Sequence, residues 1–167
     1  GYFFDFETLT KGYASVISGA FGQTFRVTPI QQARAIAAVV NGGYVLEPYI
    51  VSEVLDADGN VVKENGRTVL RQAISESTSV TMRDMMEKVV TEGTAKGAHT
   101  PGYRVGGKTG TSEKTDTFDE NGKMVEDKIV SFVGVAPIND PQYVVLVALD
   151  TPKYQEDNTK YTPNGYY

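Results

Sequence analysis

Three strand-like segments fill most of the last third of the chain, and they constrain its fold more than any other feature. The segment "YRVGGKTGT" alternates weakly between polar and apolar residues, and "IVSFVGVAP" alternates more clearly. "YVVLVALD" is a nearly continuous apolar run, which is typical of a central strand covered on both faces. "INDP" stands between the last two segments and has the composition of a turn. We therefore predict a sheet of consecutive strands at residues 104–111, 129–136 and 143–150.

Two helices are predicted upstream of this sheet. Thr28 is a natural N-cap, Pro29 suits the first helical position, and Gln31 completes a capping box, so a helix should begin here and end near Gly42 or Gly43. A second helix should run from about Ser77 to Thr91, with Gly93 beyond its end. Its apolar stripe is expected to be buried; the members are Met82, Met85, Met86 and Val89.

Turn signals divide the remaining segments. The stretch from Tyr44 to Leu55 is rich in β-branched and aromatic residues, and "DADGN" then supplies a turn before Val61, which predicts a hairpin. The polar segment between the first two sheet strands should be a surface excursion, with a tight turn at Asn121-Gly122. Residues 151–167 show no apolar periodicity, so we expect the chain to end without a packed closing element.

Composition narrows the classes of function. Sixteen Lys and Arg residues against 21 Asp and Glu give a net charge of −5, which disfavours nucleic acid as a partner. The chain has no cysteine, and its single histidine, His99, lacks spaced ligand partners, so no metal site or cofactor is predicted. No apolar run approaches the roughly 20 residues of a membrane span. The opening "GYFFDF" does not resemble a signal peptide, so we expect the chain to begin within a longer or processed protein.

The stretch "GYRVGGKTGTSEK" allows two incompatible interpretations. Residues 102–109 spell G-x-x-x-x-G-K-T, the phosphate-binding loop of nucleotide hydrolases. Such a loop needs an apolar strand before it and a helix after it, and the flanking residues favour neither. Alternatively Lys108, Thr109, Gly110 and Thr111 form part of a strand beside an acyl-transfer site. Lys108 and Gly110 would then face one side of the strand, and Thr109 and Thr111 the other, although strand twist can bring Lys and Thr to one cleft edge.

The second interpretation explains the chemistry of these residues. A fixed ammonium favours deprotonation of a neighbouring serine hydroxyl and stabilises nearby negative charge. A threonine hydroxyl can hold a substrate carboxylate. A glycine leaves the strand edge bare, so that an extended peptide can lie beside it, and a free backbone amide just beyond can serve an oxyanion.

Over nearly its whole length the chain resembles the transpeptidase domain of class B penicillin-binding proteins. The resemblance is carried by "FGQTFRVTPIQQARAIAAVVNGGYVLEPYIV", "VVTEGTAKGAHTPGYRVGGKTGTSEK" and "SFVGVAPINDPQYVVLVALDTPK", in that order. It implies an α+β fold of the penicillin-binding and β-lactamase-like type, an α/β sandwich with an antiparallel sheet and flanking helices. It also implies a serine-type DD-transpeptidase that cross-links peptidoglycan stem peptides ending in D-Ala-D-Ala. β-Lactams acylate the same serine in this family, and the resemblance implies that the parent protein is anchored at the extracytoplasmic face of the membrane by an N-terminal segment not in this chain.

The resemblance also assigns roles. Lys108 would sit beside the proton network of the nucleophile, and Thr109 and Thr111 would receive the carboxylate of the substrate or β-lactam. Gly110 would permit close approach, and the Thr111 backbone amide would be one oxyanion donor. No cofactor or metal is implied.

One departure bears on mechanism. The family needs Ser-x-x-Lys and Ser-x-Asn, and neither pattern occurs in this chain. Both lie N-terminal to the matching segments in the family, so we expect residues 1–167 to be the C-terminal portion of the domain, without the nucleophile or the closing C-terminal helix. The chain alone should then be inactive. A nucleotide hydrolase and a noncatalytic module that binds the cell wall remain as alternatives, and Gly110 should lie in a helix under the first of these.

Overall fold

The computed structural model describes residue 7 and residues 12–20, 22–23, 25–114, 117–125 and 127–152. The helices with described bounds are α1 (Tyr13–Ala20), α2 (Pro29–Val40), α3 (Glu76–Thr91) and a short 3-10 helix (Lys96–Ala98). The strands are β1 (Tyr44–Leu46), β2 (Glu53–Leu55), β3 (Val61–Glu64), β4 (Val69–Gln72), β5 (Gly106–Glu113), β6 (Lys128–Ala136) and β7 (Tyr143–Asp150). The predicted α+β class, with an antiparallel sheet and flanking helices, is confirmed. None of the described helices is long and apolar enough to cross a membrane.

The main sheet has the strand order β5-β6-β7, with both neighbouring pairs antiparallel. It confirms the three predicted strands, and β5 begins and ends two residues later than expected. The predicted central position of β7 is wrong for the described residues, because β6 pairs on both sides and β7 pairs with β6 alone. One face of β7 is also open to solvent, with Tyr143, Val145, Val147 and Leu149 between 43% and 70% exposed. The apolar composition of β7 therefore did not indicate which strand of the sheet is paired along both edges.

The core lies where α2 and α3 meet the sheet. Its buried centre consists of Val40 from α2, Met86 from α3, Val135 from β6 and Ile138, with Ile36, Val39 and Val144 packed against it. Ile138 belongs to the segment predicted only as a turn, yet its side chain is almost fully buried. Its backbone N–H donates to the Arg104 carbonyl at 2.9 Å, which fixes the chain just before β5.

Local signals determine both ends of α2. The Thr28 hydroxyl accepts from the Gln31 N–H, and the Gln31 side chain accepts from the Thr28 N–H at 2.9 Å, so the predicted capping box is confirmed. Beyond the helix, Gly42 and Gly43 have φ values of +94° and +93°. A Cβ atom on Gly43 would lie 1.9 Å from the Ile74 carbonyl oxygen, so this turn needs glycine for its space as well as its backbone conformation.

The predicted helix from about Ser77 to Thr91 is confirmed as α3 (Glu76–Thr91), but it buries a different set of residues. Ser75 is its N-cap, and its hydroxyl accepts from the Thr78 N–H. The buried residues are Ser79, Met86 and Val90, spaced by seven and four, and they therefore share one helical face. Met85 stands one residue out of this phase and is 56% exposed, so its predicted burial is wrong. Met82 and Val89 are half-buried.

The buried hydroxyl of Ser79 joins the two helices. It donates to the Val39 carbonyl at 2.6 Å and accepts from the Gly42 N–H at 3.0 Å. Ser79 therefore satisfies two backbone groups at the C-terminal end of α2 from a buried position inside α3.

Two small antiparallel pairs form the segment between α2 and α3. The predicted hairpin around "DADGN" is confirmed as β2 with β3, and Asp56 accepts from the N–H groups of Asp58 and Asn60 in its turn. β1 pairs separately with β4. The predicted tight turn at Asn121-Gly122 is also confirmed, since Gly122 has φ +75° and Phe118 bridges to Met124. Of the predicted tail at residues 151–167, residues 153–167 lie outside the described residues.

Candidate active site

The four predicted site residues lie together in the middle of β5. Lys108, Thr109, Gly110 and Thr111 are consecutive within this strand, which pairs with β6 along one edge. No strand among the described residues pairs with its other edge, so the backbone groups that point that way can accept an extended peptide. The strand continues unbroken through Gly110 to Glu113. The nucleotide-hydrolase alternative is therefore wrong, because it requires a helix where this strand lies.

Strand register divides the four residues between two faces. Lys108 pairs with Val133 and Gly110 pairs with Ser131, so these two lie on the same face. Thr109 pairs with Phe132 and Thr111 with Val130, on the opposite face. The predicted alternation is confirmed, and the residues can act together only at the open edge of the strand.

The Lys108 side chain is exposed and contacts the backbone of its own strand. Its Nζ atom donates to the carbonyl oxygen of Thr109 at 2.8 Å, so the side chain already reaches the strand backbone. Among the described residues no carboxylate lies within ion-pair distance of Lys108. An unpaired ammonium can stabilise negative charge that arrives with a ligand or develops on a reacting oxygen.

Helix α3 packs closely against the start of β5 because the first residue of that strand is glycine, Gly106. A Cβ atom on Gly106 would lie 2.6 Å from the Ile138 side chain and 3.2 Å from the backbone nitrogen of Glu87. A Cβ atom on Gly107 would lie 2.4 Å from the Phe132 ring. Both glycines were visible in the sequence, but only the packing shows that Gly106 sets the distance between α3 and β5 and that Gly107 allows the close approach of the Phe132 ring.

An ion pair holds the segment before β5 to the same helix. The Arg104 guanidinium donates to both carboxylate oxygens of Glu87, at 2.7 and 2.6 Å. This bidentate contact lowers the pKa of Glu87 below its usual range and raises the pKa of Arg104. Sequence reasoning missed the pair, because its members are 17 residues apart and no periodic pattern connects them.

The far end of β5 is tied to β7. Lys114 forms an ion pair with Asp150, and its Nζ atom also donates to the Thr151 hydroxyl at 2.9 Å. The hydrogen bond from Lys114 lowers the pKa of Asp150. Residues 108–111 therefore lie between two anchored ends, which suits a site that must keep its geometry without a ligand.

A threonine outside the predicted motif contacts one residue within it. The hydroxyl of Thr94, just after α3, lies 3.1 Å from the hydroxyl of Thr109, and either can be the donor. No signal in the sequence distinguishes Thr94 from the other threonines of the chain, so this contact could be found only in the structure.

Two other features bear on what the site can bind. A groove between the small hairpins is lined by residues in the range 47–68 and includes none of the four site residues. Within the described ranges, no group of three or more His, Asp or Glu side chains is arranged to hold a metal ion. The ligand-binding features of β5 are thus an exposed strand edge and its side chains.

Comparison with known proteins identifies the family to which this chain belongs. The chain matches the penicillin binding protein transpeptidase domain over residues 6–164. It belongs to this family. Stage V sporulation protein D of Bacillus subtilis is 49% identical over 136 residues, which cover 80% of this chain and 20% of that protein. A peptidoglycan D,D-transpeptidase FtsI homolog of Mesostigma viride is 37% identical over 145 residues, covering 80% of this chain and 24% of that protein.

Solved structures of the family share the fold. Apo penicillin-binding protein 3 of Mycobacterium tuberculosis has a TM-score of 0.72 and 27% identity, covering 83% of this chain and 32% of that one. Penicillin-binding protein A of M. tuberculosis, as an imipenem acyl-enzyme complex, has a TM-score of 0.71 and 25% identity, covering 84% of this chain and 30% of that one. The chain therefore spans about a fifth to a quarter of the length of these two curated relatives and about a third of these structures.

Proposed function

We propose that this chain is the C-terminal portion of the transpeptidase domain of a serine-type DD-transpeptidase. The observation that carries the proposal is the open edge of β5, where Lys108, Thr109, Gly110 and Thr111 stand in sequence in a member of the transpeptidase family. The reaction is the cross-linking of peptidoglycan stem peptides that end in D-Ala-D-Ala, and β-lactams acylate the same serine. The imipenem acyl-enzyme of a related protein supports the β-lactam part of this proposal.

Each of the four residues has a distinct role in this proposal. Lys108 places its ammonium in the proton network of the nucleophilic serine and stabilises the alkoxide as it forms. The hydroxyls of Thr109 and Thr111 bind the carboxylate of the terminal D-Ala or of the β-lactam. Gly110 keeps the strand edge free of a side chain, and the Thr111 backbone N–H donates to the oxyanion of the tetrahedral intermediate.

The nucleophile comes from a part of the domain that this sequence does not contain. No serine here has lysine three residues later, and no serine or tyrosine has asparagine two residues later. The missing serine attacks the carbonyl of the penultimate D-Ala, and terminal D-Ala leaves as the amine. An amine of a second stem peptide then attacks the acyl ester, which releases the serine and completes the cross-link. We place this reaction at the extracytoplasmic face of the membrane, with the anchor outside this chain.

The test is covalent labelling of the full-length protein with a fluorescent penicillin, followed by proteolysis and mass spectrometry. We expect stoichiometric labelling on a serine of a Ser-x-x-Lys motif outside residues 1–167. Heat-denatured protein and ring-opened penicillin are the controls, and neither should give an adduct. A folded protein that binds peptidoglycan without forming an adduct would instead support a noncatalytic module that binds the cell wall.

A further inference from the structure

The contact between Thr94 and Thr109 points to a positioning residue outside the four-residue motif. We infer that the Thr94 hydroxyl donates its hydrogen to Thr109 and thereby directs the Thr109 hydrogen toward the carboxylate of a bound ligand. This inference rests on the proposed function, in which Thr109 binds that carboxylate. Its basis in the structure is the 3.1 Å separation of the two Oγ1 atoms.

The backbone around Thr94 is fixed by the end of α3. The N–H groups of Glu92 and Gly93 both donate to the Lys88 carbonyl, at 2.8 and 2.9 Å, and the Ala95 N–H donates to Val89 at 3.0 Å. Ala95 is buried, and a Cβ atom on Gly93 would lie 2.9 Å from Val89 backbone atoms. Since threonine is also restricted at χ1, its hydroxyl has few positions to occupy.

The hydrogen count of the pair gives the direction of the bond. A hydroxyl has one hydrogen to donate and two lone pairs to accept with. If Thr109 donated to Thr94, it would have no hydrogen left for a carboxylate, which can only accept. If Thr94 donates, the Thr109 hydrogen is available, and the chain from Thr94 through Thr109 to the anion polarises in one direction. An arriving carboxylate therefore favours the arrangement in which Thr94 is the donor.

The hydrogen bond between Thr94 and Thr109 is not needed to hold α3 against the β5 region. Helix α3 is already joined to the β5 region by the bidentate pair of Glu87 and Arg104 and by the close approach at Gly106. The Thr94 side chain is exposed, so its hydroxyl could bond to water if it had no role at the strand. The contact is instead made to Thr109, one of the two threonines of β5 that the proposal places on the ligand carboxylate.

The test compares Thr94→Val with Thr94→Ser in the full-length protein. Valine keeps the shape of threonine without the hydroxyl, whereas serine keeps the hydroxyl. Second-order acylation rates are measured for a penicillin and for its methyl ester, which lacks the negative charge. We expect Thr94→Val to lower the ratio of the acid rate to the ester rate by roughly threefold to tenfold, since a single hydrogen bond contributes about that much. Thr94→Ser should keep the ratio within about twofold of the original.

The outcomes separate this inference from the function on which it rests. An equal fall for acid and ester, or no change in Thr94→Val, would overturn the positioning role while leaving the transpeptidase proposal standing. Absence of acylation in the unmodified protein would overturn both. If Thr94→Val does not fold, Thr94→Ala provides the same comparison, because alanine also removes the hydroxyl.

A double-mutant cycle tests whether Thr94 acts through Thr109. In a Thr109→Val background, Thr94→Val should change the ratio no further, because the hydroxyl it would orient is absent. Additive losses would overturn the inference by showing that Thr94 affects the ligand independently.

Discussion

The Arg104 guanidinium donates to both carboxylate oxygens of Glu87, so that the residue two positions before β5 is bound to the middle of α3. Both partners lie outside the motif that would meet a ligand. Their contact nevertheless helps to set where that motif begins. The backbone carbonyl of Arg104 also accepts a hydrogen bond from the N–H of the buried Ile138, so Arg104 is held at both its side chain and its backbone.

Glu87→Gln should lower the stability of the transpeptidase domain in a pH-dependent way. The folded-state pKa of Glu87 is lowered, so the unfolded state binds more protons in acid, and the stabilisation is present above the unfolded pKa of about 4.3. It is lost as pH falls through the folded pKa. We expect a deficit of about 0.5 to 1 kcal/mol at pH 7, the upper range for exposed pairs. Thermal midpoints measured from pH 7 to pH 4 and below should show the deficit shrinking.

The matched control for this experiment is Glu120→Gln. Glu120 is exposed in the turn before Gly122 and has no ion pair among the described residues. Its substitution should change the midpoint little at any pH. A Glu87→Gln deficit that stayed constant into acid would show that the carboxylate charge is not what stabilises the contact.

Lys108→Ala should slow acylation of the full-length protein by a fluorescent penicillin by about two to three orders of magnitude. Loss of one electrostatic partner at a reacting centre typically costs about 2.7 to 4 kcal/mol of barrier. The exposed Lys123→Ala variant is the control and should be acylated at the original rate. Normal labelling of Lys108→Ala in time-resolved gels would contradict the role proposed for this ammonium.

Gly107→Ala should destabilise the domain by about 1 to 3 kcal/mol, the usual cost of overpacking a well-packed region. The added Cβ atom would lie 2.4 Å from the Phe132 ring and 2.6 Å from the Val133 carbonyl oxygen, which is fixed by the strand ladder. Gly66→Ala is the control, because a Cβ atom there would meet nothing within 4 Å. Equal thermal midpoints for the two variants would show that β6 can move away from β5 at little cost.

The chain of residues 1–167 alone should form no covalent adduct with excess penicillin. Covalent acylation needs a nucleophile, and the Ser-x-x-Lys pattern does not occur in this sequence. Contacts to Lys108, Thr109 and the Thr111 amide would be screened by solvent to about 1 kcal/mol each, which gives affinity of about 1 mM or weaker. Intact-mass spectrometry tests this, and a stoichiometric adduct would mean that the nucleophile lies within these residues.

The parts of the fold that the sequence predicted are those with local causes. Thr28, Pro29 and Gln31 determine the start of α2 within four residues of chain, and the structure has that capping box. The three main strands were likewise predicted, because turn residues separate their apolar runs. The four residues of the candidate site were identified by a contiguous motif, and the structure places them in one strand as expected.

The parts that were missed depend on contacts between distant residues. The edge position of β7 depends on strand pairing, which its own apolar residues do not encode. The exposure of Met85 follows from the phase of α3 against the core, which differs by one residue from the phase that its methionines suggested. Thr94 and Glu87 matter because of what lies opposite them, 15 and 17 residues away along the chain.

The buried hydroxyl of Ser79 has a consequence for how the domain opens. Its bonds to Val39 and Gly42 mean that α2 and α3 cannot separate without breaking both, and water must then enter at this point. The Gly42 amide should therefore exchange its hydrogen for deuterium only when the two helices come apart as a unit. Its exchange rate measures the free energy of that opening, rather than the fraying of either helix end.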